Sequence, residues 1–464
     1  MNDNNRGGFK STFGFLMACL GLAIGLGNLW SFPYKLGNGG GFAFLLVYLI
    51  LCVFVGYPMM LAEISIGRKT QQAAIEAYTK ANKKFRFNGV LQTIVPFLLL
   101  SFYCTFGGYI TKYLFASFAG LTGKGAINTT PAEDYFFNNC LSNGGSACIW
   151  LIVFLAITVA IVLAGVSDGI EKFCTYAMPA LFVMLLIIVV RSLTLPNAVE
   201  GLKFLFKPDF TYLKDNFFDV VSSAGGQMFF SICVGSGSLI AYGSYLNKNA
   251  NLEKNAANIV IGDTLVAVLA GLAIIPATIS YGMSPTAGPP LLFSSMTVVF
   301  QNMGFAGRIF QLIFWLLVFF AALSSSIGMM EGGISAMLDH QIKKGKNPNR
   351  TLVTLFMAAI GLAGNLLTTL DCLGEAKTVS WFHILGQGTV LDVFDSIGEG
   401  ILMPFTALIM AIMLGWVIPH YLDDEIELNG KFKTKKLFDI CIKFVGPVFM
   451  AMIVYGQIKS FWIH

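Results

Sequence analysis

Charged residues are scarce in this sequence: Asp, Glu, Lys and Arg make up only 12% of the 464 residues, whereas hydrophobic residues make up 56%. That balance is too apolar for a soluble globular protein and indicates a chain embedded in lipid. Histidine is also rare, with four residues, and no HExxH motif occurs. No spacing of cysteine and histidine resembles a metal site. These absences argue against a membrane-embedded enzyme.

Eleven stretches are apolar and long enough to cross a membrane, which takes about 20 residues. We name them spans 1 to 11, and they cover residues 12–34, 41–66, 89–117, 147–165, 173–192, 222–246, 257–282, 306–338, 351–369, 396–419 and 437–461. The sequence therefore predicts an all-α integral membrane protein that forms a single transmembrane domain over residues 1–464.

Lysine and arginine are concentrated in alternate loops. The basic loops hold Arg6 and Lys10, then the cluster from Arg68 to Arg86, then Lys343 to Arg350, then Lys431 to Lys436. The intervening loops are poorer, and the cluster of Lys203, Lys207 and Lys214 is offset by Asp209, Asp215 and Asp219. Because basic loops stay in the cytoplasm, we expect a cytoplasmic N-terminus and, after an odd number of spans, an outside C-terminus.

The net charge of +5 is explained by this loop pattern and gives no reason to expect a nucleic-acid partner. The first span is long, interrupted by polar residues and without a small-residue cleavage site, so we expect no cleaved signal peptide. Cys140 and Cys148 lie in the long outside loop between spans 3 and 4, where an oxidising compartment permits a disulfide. The sequence leaves open whether these two residues pair.

Spans 1 and 6 share an unusual feature. Span 1 contains "GLAIGLGNLWSFP" at residues 21–33, and span 6 contains "VGSGS" at residues 234–238, so both apolar runs are interrupted by helix-breaking residues. Glycine also permits close packing of membrane helices, which is the commoner explanation for any single glycine. Two such breaks five spans apart, however, indicate an inverted repeat of five helices, the architecture of many secondary transporters.

Long motifs in the sequence resemble the neurotransmitter:sodium symporter family. They include "GLAIGLGNLWSFPYKLGNGGGFAFLLVYLI", "GYPMMLAEISIGR", "LLLSFYCTFGGY", "GQMFFSICVGSGS" and "FFAALSSSIGMMEG", and the similarity extends over nearly the whole chain. The resemblance implies the leucine-transporter fold, with two inverted five-helix repeats (about 10–195 and 220–420) and an additional helix at about 437–461. Helices 1 and 6 are expected to be unwound at mid-membrane.

The resemblance also implies two sodium sites. Sodium prefers oxygen ligands, which unwound backbone carbonyls and hydroxyl or carboxyl groups supply. The expected ligands of site one are Ala23, Asn28, Ser231 and Asp263. Those of site two are Gly21, Ile24, Ala321, Ser324 and Ser325. From the residues alone, the "SSS" at 324–326 is better explained by hydroxyls bonded to carbonyls of their own helix.

Asp263 is a carboxylate within an apolar span, which is costly and therefore indicates function. Many relatives carry asparagine here, and chloride-dependent members use a serine one helical turn later, where this chain has Ala267. A fixed carboxylate supplies the negative charge that chloride otherwise provides, so we expect chloride-independent transport. The alternative is a carboxylate that faces the cytoplasm because span 7 starts later.

The substrate implied by the resemblance is an amino acid at the two breaks. Its carboxylate is expected on the amides of Leu26 and Gly27 and on the Tyr103 hydroxyl, since a half-helix N-terminus attracts anions. Its ammonium is expected near Ala23, Phe230 and Ser231, with Phe230 as a lid. The side chain is expected among Leu99, Cys233, Ser236, Ser325 and Met329. Ser236 replaces a phenylalanine of the leucine-preferring pattern, so a large hydrophobic or aromatic amino acid fits best.

Gates are expected at both mouths of the pathway. Arg6 and Asp339 match the cytoplasmic gate pair of the family, with Phe9 where a tryptophan is common. Asp395 matches the outer gate acid, but its usual arginine partner is Ser31 here. We expect a hydrogen bond from Ser31 to Asp395, with Lys35 as the alternative partner. Glu63 and Glu331 are expected to bond free backbone groups near the breaks.

The predicted function is sodium-coupled symport of a neutral L-amino acid across the inner cell membrane by alternating access, with two sodium ions and no organic cofactor. A monomer is expected to suffice for transport, and a dimer stays open. The alternative function is an amino-acid sensor that keeps the same binding residues but does not transport.

Overall fold

The computed structural model describes residues 8–123, 125–286, 291–384 and 386–462, and every regular element within them is helical. Nine continuous helices in these ranges are long and apolar enough to cross a membrane, and a bent pair in span 1 makes a tenth. The predicted span 222–246 is divided into two shorter helices, neither of which is long enough on its own. The eleven apolar stretches of the sequence thus correspond to nine continuous helices and two broken ones.

The helices extend beyond the predicted apolar runs at several ends because polar residues continue them outside the apolar layer. The spans are Thr12–Ala23 with Gly27–Asn38, Phe42–Thr70, Lys83–Thr122, Gly144–Leu163, Val166–Leu193, Phe217–Ile232 with Ser238–Ser244, Leu252–Ser280, Gly304–Lys343, Arg350–Gly374, Val390–Val417 and Lys435–Lys459. Shorter helices in the connections are Ala74–Ala81, Ala126–Thr129, Ala132–Phe136, Ala198–Phe206, Thr211–Asp215, Leu292–Gln301 and Asp423–Glu427.

The two broken spans owe their breaks to local backbone chemistry. In span 1 the helix leaves helical geometry at Ile24, and the chain bends by 48° before it resumes at Gly27. In span 6 the backbone takes positive φ angles at Cys233 (+55°), Gly235 (+86°) and Gly237 (+71°). Such angles are easy for glycine and unfavourable for other residues. The glycines singled out in the sequence therefore lie where the helices open.

The long spans 3 and 8 pack against each other, and the first half of span 1 packs against spans 5, 7 and 8. Close approach of spans 1 and 8 requires glycine, because a Cβ on Gly328 would lie 2.6 Å from Cδ1 of Leu22. Large apolar side chains such as Phe54, Tyr176 and Phe356 are exposed on the outer faces of the spans. In a bilayer these faces contact lipid, and the polar groups of the interior face one another.

Candidate functional site

The break in span 1 leaves two backbone amides outside the regular helical ladder. The amide of Gly25 donates to Oδ1 of Asn28 at 3.1 Å, and the amide of Leu26 donates to the hydroxyl of Tyr103 at 3.2 Å. Helix ends buried without such partners are costly. The break is thus held by side chains from its own turn and from span 3, namely Asn28 and Tyr103, which the sequence assigns to the sodium and substrate sites.

Asp263 is fully buried beside this break and is surrounded by oxygen and amide groups. Nδ2 of Asn28 donates to Oδ1 of Asp263 at 2.8 Å, and Oγ of Ser231 donates to Oδ2 at 2.9 Å. No lysine, arginine or histidine among the described residues forms an ion pair with this carboxylate. Span 7 begins at Leu252, so Asp263 lies three turns inside the span and the cytoplasm-facing alternative is wrong. A buried, unpaired carboxylate among oxygen atoms fits a small cation.

A second group of oxygen atoms lies between spans 1 and 8. Oγ of Ser325 is within 3.1–3.4 Å of the carbonyl oxygens of Gly21, Leu22 and Ile24. Ser324 is adjacent, since a Cβ on Gly21 would lie 3.1 Å from Cβ of Ser324. The group therefore contains the backbone and hydroxyl oxygens that a hard cation prefers, and it brings together most residues of the predicted second sodium site.

The three serines of span 8 differ in their partners. Oγ of Ser324 donates to the carbonyl of Ala321 at 3.1 Å, and Oγ of Ser326 donates to the carbonyl of Leu323 at 2.9 Å. These two follow the alternative in which hydroxyls bond to their own helix. Ser325 instead reaches across to span 1, so it is the serine that links the two helices.

Glycine at the break allows three side chains to converge on the backbone. A Cβ on Gly25 would lie 2.3 Å from Oγ of Ser325 and 2.8 Å from the Tyr103 hydroxyl. A Cβ on Gly27 would lie 3.1 Å from the ring of Phe230. Tyr103, Phe230 and Ser325 are all buried, so the region between the two breaks is closed to solvent. The structure brings these predicted substrate residues to one place.

The residues predicted to surround the substrate side chain are buried near the break in span 6. Sγ of Cys233 lies 3.5 Å from the carbonyl of Leu22, which ties the two breaks together. Oγ of Ser236 donates to the carbonyl of Cys233 at 2.6 Å, so this hydroxyl supports the break. Met329 is buried one turn after Ser325, and Leu99 faces Gly398 of span 10.

Two polar side chains stabilise the breaks from outside the predicted ligand sets. Oε1 of Glu63 accepts from the amide of Gly235 at 2.9 Å and from Nε2 of Gln92 at 3.0 Å, which confirms the prediction that Glu63 bonds a free backbone group of span 6. Gln227 was not predicted. Its Nε2 donates to the carbonyl of Gly27 at 2.8 Å. The signal available in the sequence was an amide side chain within the apolar run "GQMFF".

The expected hydrogen bond from Ser31 to Asp395 is wrong. Oγ of Ser31 donates to Oε1 of Gln227 at 2.7 Å, because the short serine side chain reaches span 6 but not span 10. Lys35 extends further, and its Nζ lies 2.8 Å from Oε1 of Glu399. Asp395 lines the same cavity of about 590 Å³ one helical turn from Glu399. The ion pair that lines this cavity is therefore Lys35 with Glu399.

At the opposite end, Oδ2 of Asp339 accepts from the amide of Ala73 at 2.6 Å. Its predicted partner Arg6 lies outside the described residues. The ring of Phe9 packs edge-to-face against Phe15 and Tyr242, with ring centroids 5.4 and 5.6 Å apart. These contacts pack the residues that precede span 1 against spans 1 and 6.

The expectation that Glu331 bonds backbone groups at a break is wrong. Its Oε2 lies 2.5 Å from Nη2 of Arg350, and its Oε1 accepts from the hydroxyl of Tyr245 at 2.9 Å. Arg350 also donates to the carbonyl of Val162. A long guanidinium group that enters from the start of span 9 thus neutralises this carboxylate and joins spans 4, 6, 8 and 9.

Cys140 and Cys148, whose pairing the sequence leaves open, are free thiols in the structure. Cys140 is buried at the end of the helical turn Phe137–Leu141, whereas Cys148 is only partly buried in the first turns of span 4. The two thiols therefore occupy different environments.

Comparison with known proteins supports the geometry just described. The family model described as "Sodium:neurotransmitter symporter family" matches residues 6–142 and 121–463. The chain is 35% identical over 410 residues to the uncharacterised sodium-dependent transporter YhdH of Bacillus subtilis, covering 88% of this chain and 87% of that protein. It is 32% identical over 468 residues to an uncharacterised sodium-dependent transporter of Haemophilus influenzae, covering 98% and 99% of the two chains.

Among solved structures, the chain is similar to the crystal structure of MhsT in complex with L-phenylalanine. The TM-score is 0.87 at 32% identity, and the match covers 98% of this chain and all of MhsT. The leucine-transporter fold expected from the sequence, with two inverted five-helix repeats and broken helices 1 and 6, is thereby confirmed. The protein is a multi-pass membrane transporter and not an enzyme, and the chain belongs to the sodium:neurotransmitter symporter family.

Proposed function

We propose that the protein carries a neutral L-amino acid into the cell together with two sodium ions. The observation that carries this proposal is the buried carboxylate of Asp263, which contacts Asn28 and Ser231 at the break in span 1. A negative charge in that position needs a cation, and the surrounding oxygen atoms suit sodium. A bound sodium ion there also attracts the carboxylate of an amino acid to the same break.

Site one of the proposal consists of the Ala23 carbonyl, Asn28, Ser231 and Asp263. Site two consists of the carbonyls of Gly21, Ile24 and Ala321 with the hydroxyls of Ser324 and Ser325. The convergence of Ser325 with the carbonyls of Gly21 and Ile24 supports site two, because it joins span 1 to span 8. Sodium at this position would hold the two helices together, so its release would free span 1 to move.

The substrate carboxylate is proposed to bind the Leu26 and Gly27 amides and the Tyr103 hydroxyl. Its ammonium would face Ala23, Phe230 and Ser231. The hydrogen bond from the Leu26 amide to the Tyr103 hydroxyl supports this arrangement, since a carboxylate oxygen can accept from both the amide and the hydroxyl. Both groups are buried, which favours their recognition of a charged group in a dry site.

The substrate side chain is proposed to be large and hydrophobic or aromatic, held by Leu99, Cys233, Ser236, Ser325 and Met329. The solved structure of MhsT contains L-phenylalanine, and that likeness supports an aromatic substrate here. The Ser236 hydroxyl is used in a hydrogen bond to the Cys233 carbonyl. The small serine therefore leaves space in the pocket and adds little free polarity. Because apolar pockets discriminate mainly by volume, a small serine at this position favours a large substrate.

Transport is proposed to be independent of chloride. The carboxylate of Asp263 already supplies a fixed negative charge beside site one, and Ala267, one turn later, has no hydroxyl to contribute to a halide site. A second anion next to this carboxylate would be repelled.

Alternating access is proposed to run between an outer gate at Lys35, Glu399 and Asp395 and an inner gate at Asp339 and Arg6. The N-terminus is placed in the cytoplasm of the inner cell membrane, with the repeats at about 10–195 and 220–420 around the site. Two sodium ions that move with a zwitterion carry two charges, so a potential of 100 mV supplies about 4.6 kcal/mol to accumulation, at roughly 2.3 kcal/mol per charge.

Uptake of L-phenylalanine by purified protein in proteoliposomes tests the proposal. With sodium outside and a negative potential inside, we expect accumulation above the external concentration, and we expect it to collapse when a sodium ionophore is added. Protein-free liposomes and equal potassium in place of sodium are the controls. Sodium-dependent binding without accumulation would favour the sensor and contradict symport.

A further inference from the structure

A groove of about 710 Å³ lies on the surface of the protein, between span 2, the start of span 7 and the loop that leads into span 11. Its wall is apolar and includes Val53, Ala257 and Ile261, of which Val53 and Ile261 are half or more exposed. Its rim is basic and consists of Lys254, Lys431 and Lys433. We call this feature the basic groove. It is separate from the sodium and substrate site, which is buried in the interior.

The three lysines of the basic groove have no ion-pair partner in the part of the chain that the structure describes, and all are exposed. The single acid in the groove, Glu253, uses its carboxylate to accept from the backbone amides of Lys433 (3.2 Å) and Thr434 (2.6 Å). Three positive charges and one negative charge leave a net charge of +2 in the groove. The ammonium groups are therefore available to an anionic partner.

The position of the groove selects the kind of anion. Val53 and Ile261 belong to spanning helices and face outward, where the bilayer contacts the protein. Lys254 lies in the first turn of span 7, and Lys431 and Lys433 lie in the loop before span 11, at the ends of the spanning segments. A basic rim beside an apolar wall complements a phospholipid, which has an anionic head group and apolar acyl chains. Basic residues at the membrane surface attract such lipids. A soluble anion would leave the apolar wall without a partner.

We propose that the basic groove binds an anionic phospholipid, with its phosphate on Lys254, Lys431 and Lys433 and one acyl chain along Val53, Ala257 and Ile261. The lipid would join elements that already contact each other here, because the hydroxyl of Tyr57 in span 2 is hydrogen-bonded to Oγ1 of Thr434 at 2.8 Å. It would thereby fasten the loop before span 11 to spans 2 and 7. Binding to the folded protein alone raises its stability.

Thermal unfolding of the full chain in neutral detergent, with added lipid, tests this proposal without any transport measurement. Dioleoyl phosphatidylglycerol is expected to raise Tm by at least about 3 °C relative to dioleoyl phosphatidylcholine. The variant K254Q/K431Q/K433Q is expected to lose that difference. The matched control K83Q/K84Q/K344Q removes the same charge from exposed lysines elsewhere and is expected to keep it.

A second variant tests whether the apolar wall of the basic groove holds an acyl chain. Ala257→Trp fills the apolar wall without changing charge, and it is expected to reduce the effect of phosphatidylglycerol while its Tm in phosphatidylcholine stays close to wild type. Equal loss of the lipid effect in both lysine variants would show attraction to surface charge in general and would overturn the proposal. So would full stabilisation by glycerol phosphate or inorganic phosphate, which lack an acyl chain, or an unchanged response of Ala257→Trp.

Discussion

Lys35 of span 1 and Glu399 of span 10 form an ion pair, with 2.8 Å between Nζ and Oε1, in a cavity that Asp395 also lines. The carboxylate side chain is 8% exposed and the lysine 21% exposed, so the pair is largely shielded from water. It joins span 1 to span 10, whereas the sequence predicts a hydrogen bond from Ser31 to Asp395. Lys35 lies one helical turn after Ser31, and Glu399 lies one helical turn after Asp395. The longer lysine side chain thus reaches an acid that serine does not.

Neutralising either partner of this pair should impair uptake. Truncating one member of a shielded charge pair costs about 2 kcal/mol or more, which disfavours the outward-closed state more than tenfold. We expect Lys35→Ala and Glu399→Gln each to reduce uptake at least about tenfold, and Ser31→Ala to reduce it much less. Initial rates in proteoliposomes at matched protein content give the comparison.

The charge-swapped variant K35E/E399K is the control for this prediction. It restores opposite charges across the gate, so part of the lost uptake should return relative to Lys35→Glu alone. A larger defect in Ser31→Ala than in Lys35→Ala would contradict the assignment and return the gate to the hydrogen bond of Ser31 with Gln227.

Asp263→Asn should weaken sodium binding and make uptake responsive to chloride. The substitution keeps the size of the side chain but removes the negative charge beside Asn28 and Ser231. We expect the half-saturating sodium concentration to rise about tenfold or more, as loss of about 1.4 kcal/mol implies. Wild-type uptake should be unchanged when gluconate replaces chloride.

The double variant D263N/A267S extends this test, since it adds a hydroxyl one turn from the neutralised position. Uptake by this variant should be greater in chloride than in gluconate. A clear loss of wild-type uptake in gluconate would contradict chloride independence.

Much of this architecture follows from the sequence because it rests on local patterns. Apolar runs locate the spans, and the glycines at 25, 235 and 237 locate the breaks, since each effect acts over a few residues. The oxygen atoms near Asp263 were predictable from a motif in which the residue types themselves carry the chemistry.

The pairings over long sequence separations were not predictable in the same way. Lys35 and Glu399 are separated by 364 residues, and Ser31 and Gln227 by 196. Which acid a lysine reaches depends on the tilt and rotation of two helices and on side-chain length. Likewise, Glu331 has Arg350 as its partner because span 9 begins beside span 8, which no local pattern reveals.

Ser325→Ala should affect sodium binding more than Ser326→Ala. Ser325 reaches the carbonyls of Gly21 and Ile24 in span 1, whereas Ser326 bonds to Leu323 of its own helix and to Thr158 of span 4. The half-saturating sodium concentration should rise about tenfold in Ser325→Ala and change little in Ser326→Ala. Equal effects would mean that the defect comes from span 8 as a whole.

Ser236→Phe should shift substrate preference from large to small amino acids. The new ring would occupy space between the break in span 6 and Leu99, and each methylene excluded from an apolar pocket costs about 1–3 kcal/mol. Competition of L-phenylalanine uptake by the twenty amino acids measures the shift, with sodium dependence as the check that site one is intact. Ser236→Ala is the matched control, because it removes the hydrogen bond to Cys233 without filling the pocket. A wild-type preference for glycine or alanine would contradict the volume argument, because that argument requires the pocket with Ser236 to accept a large side chain.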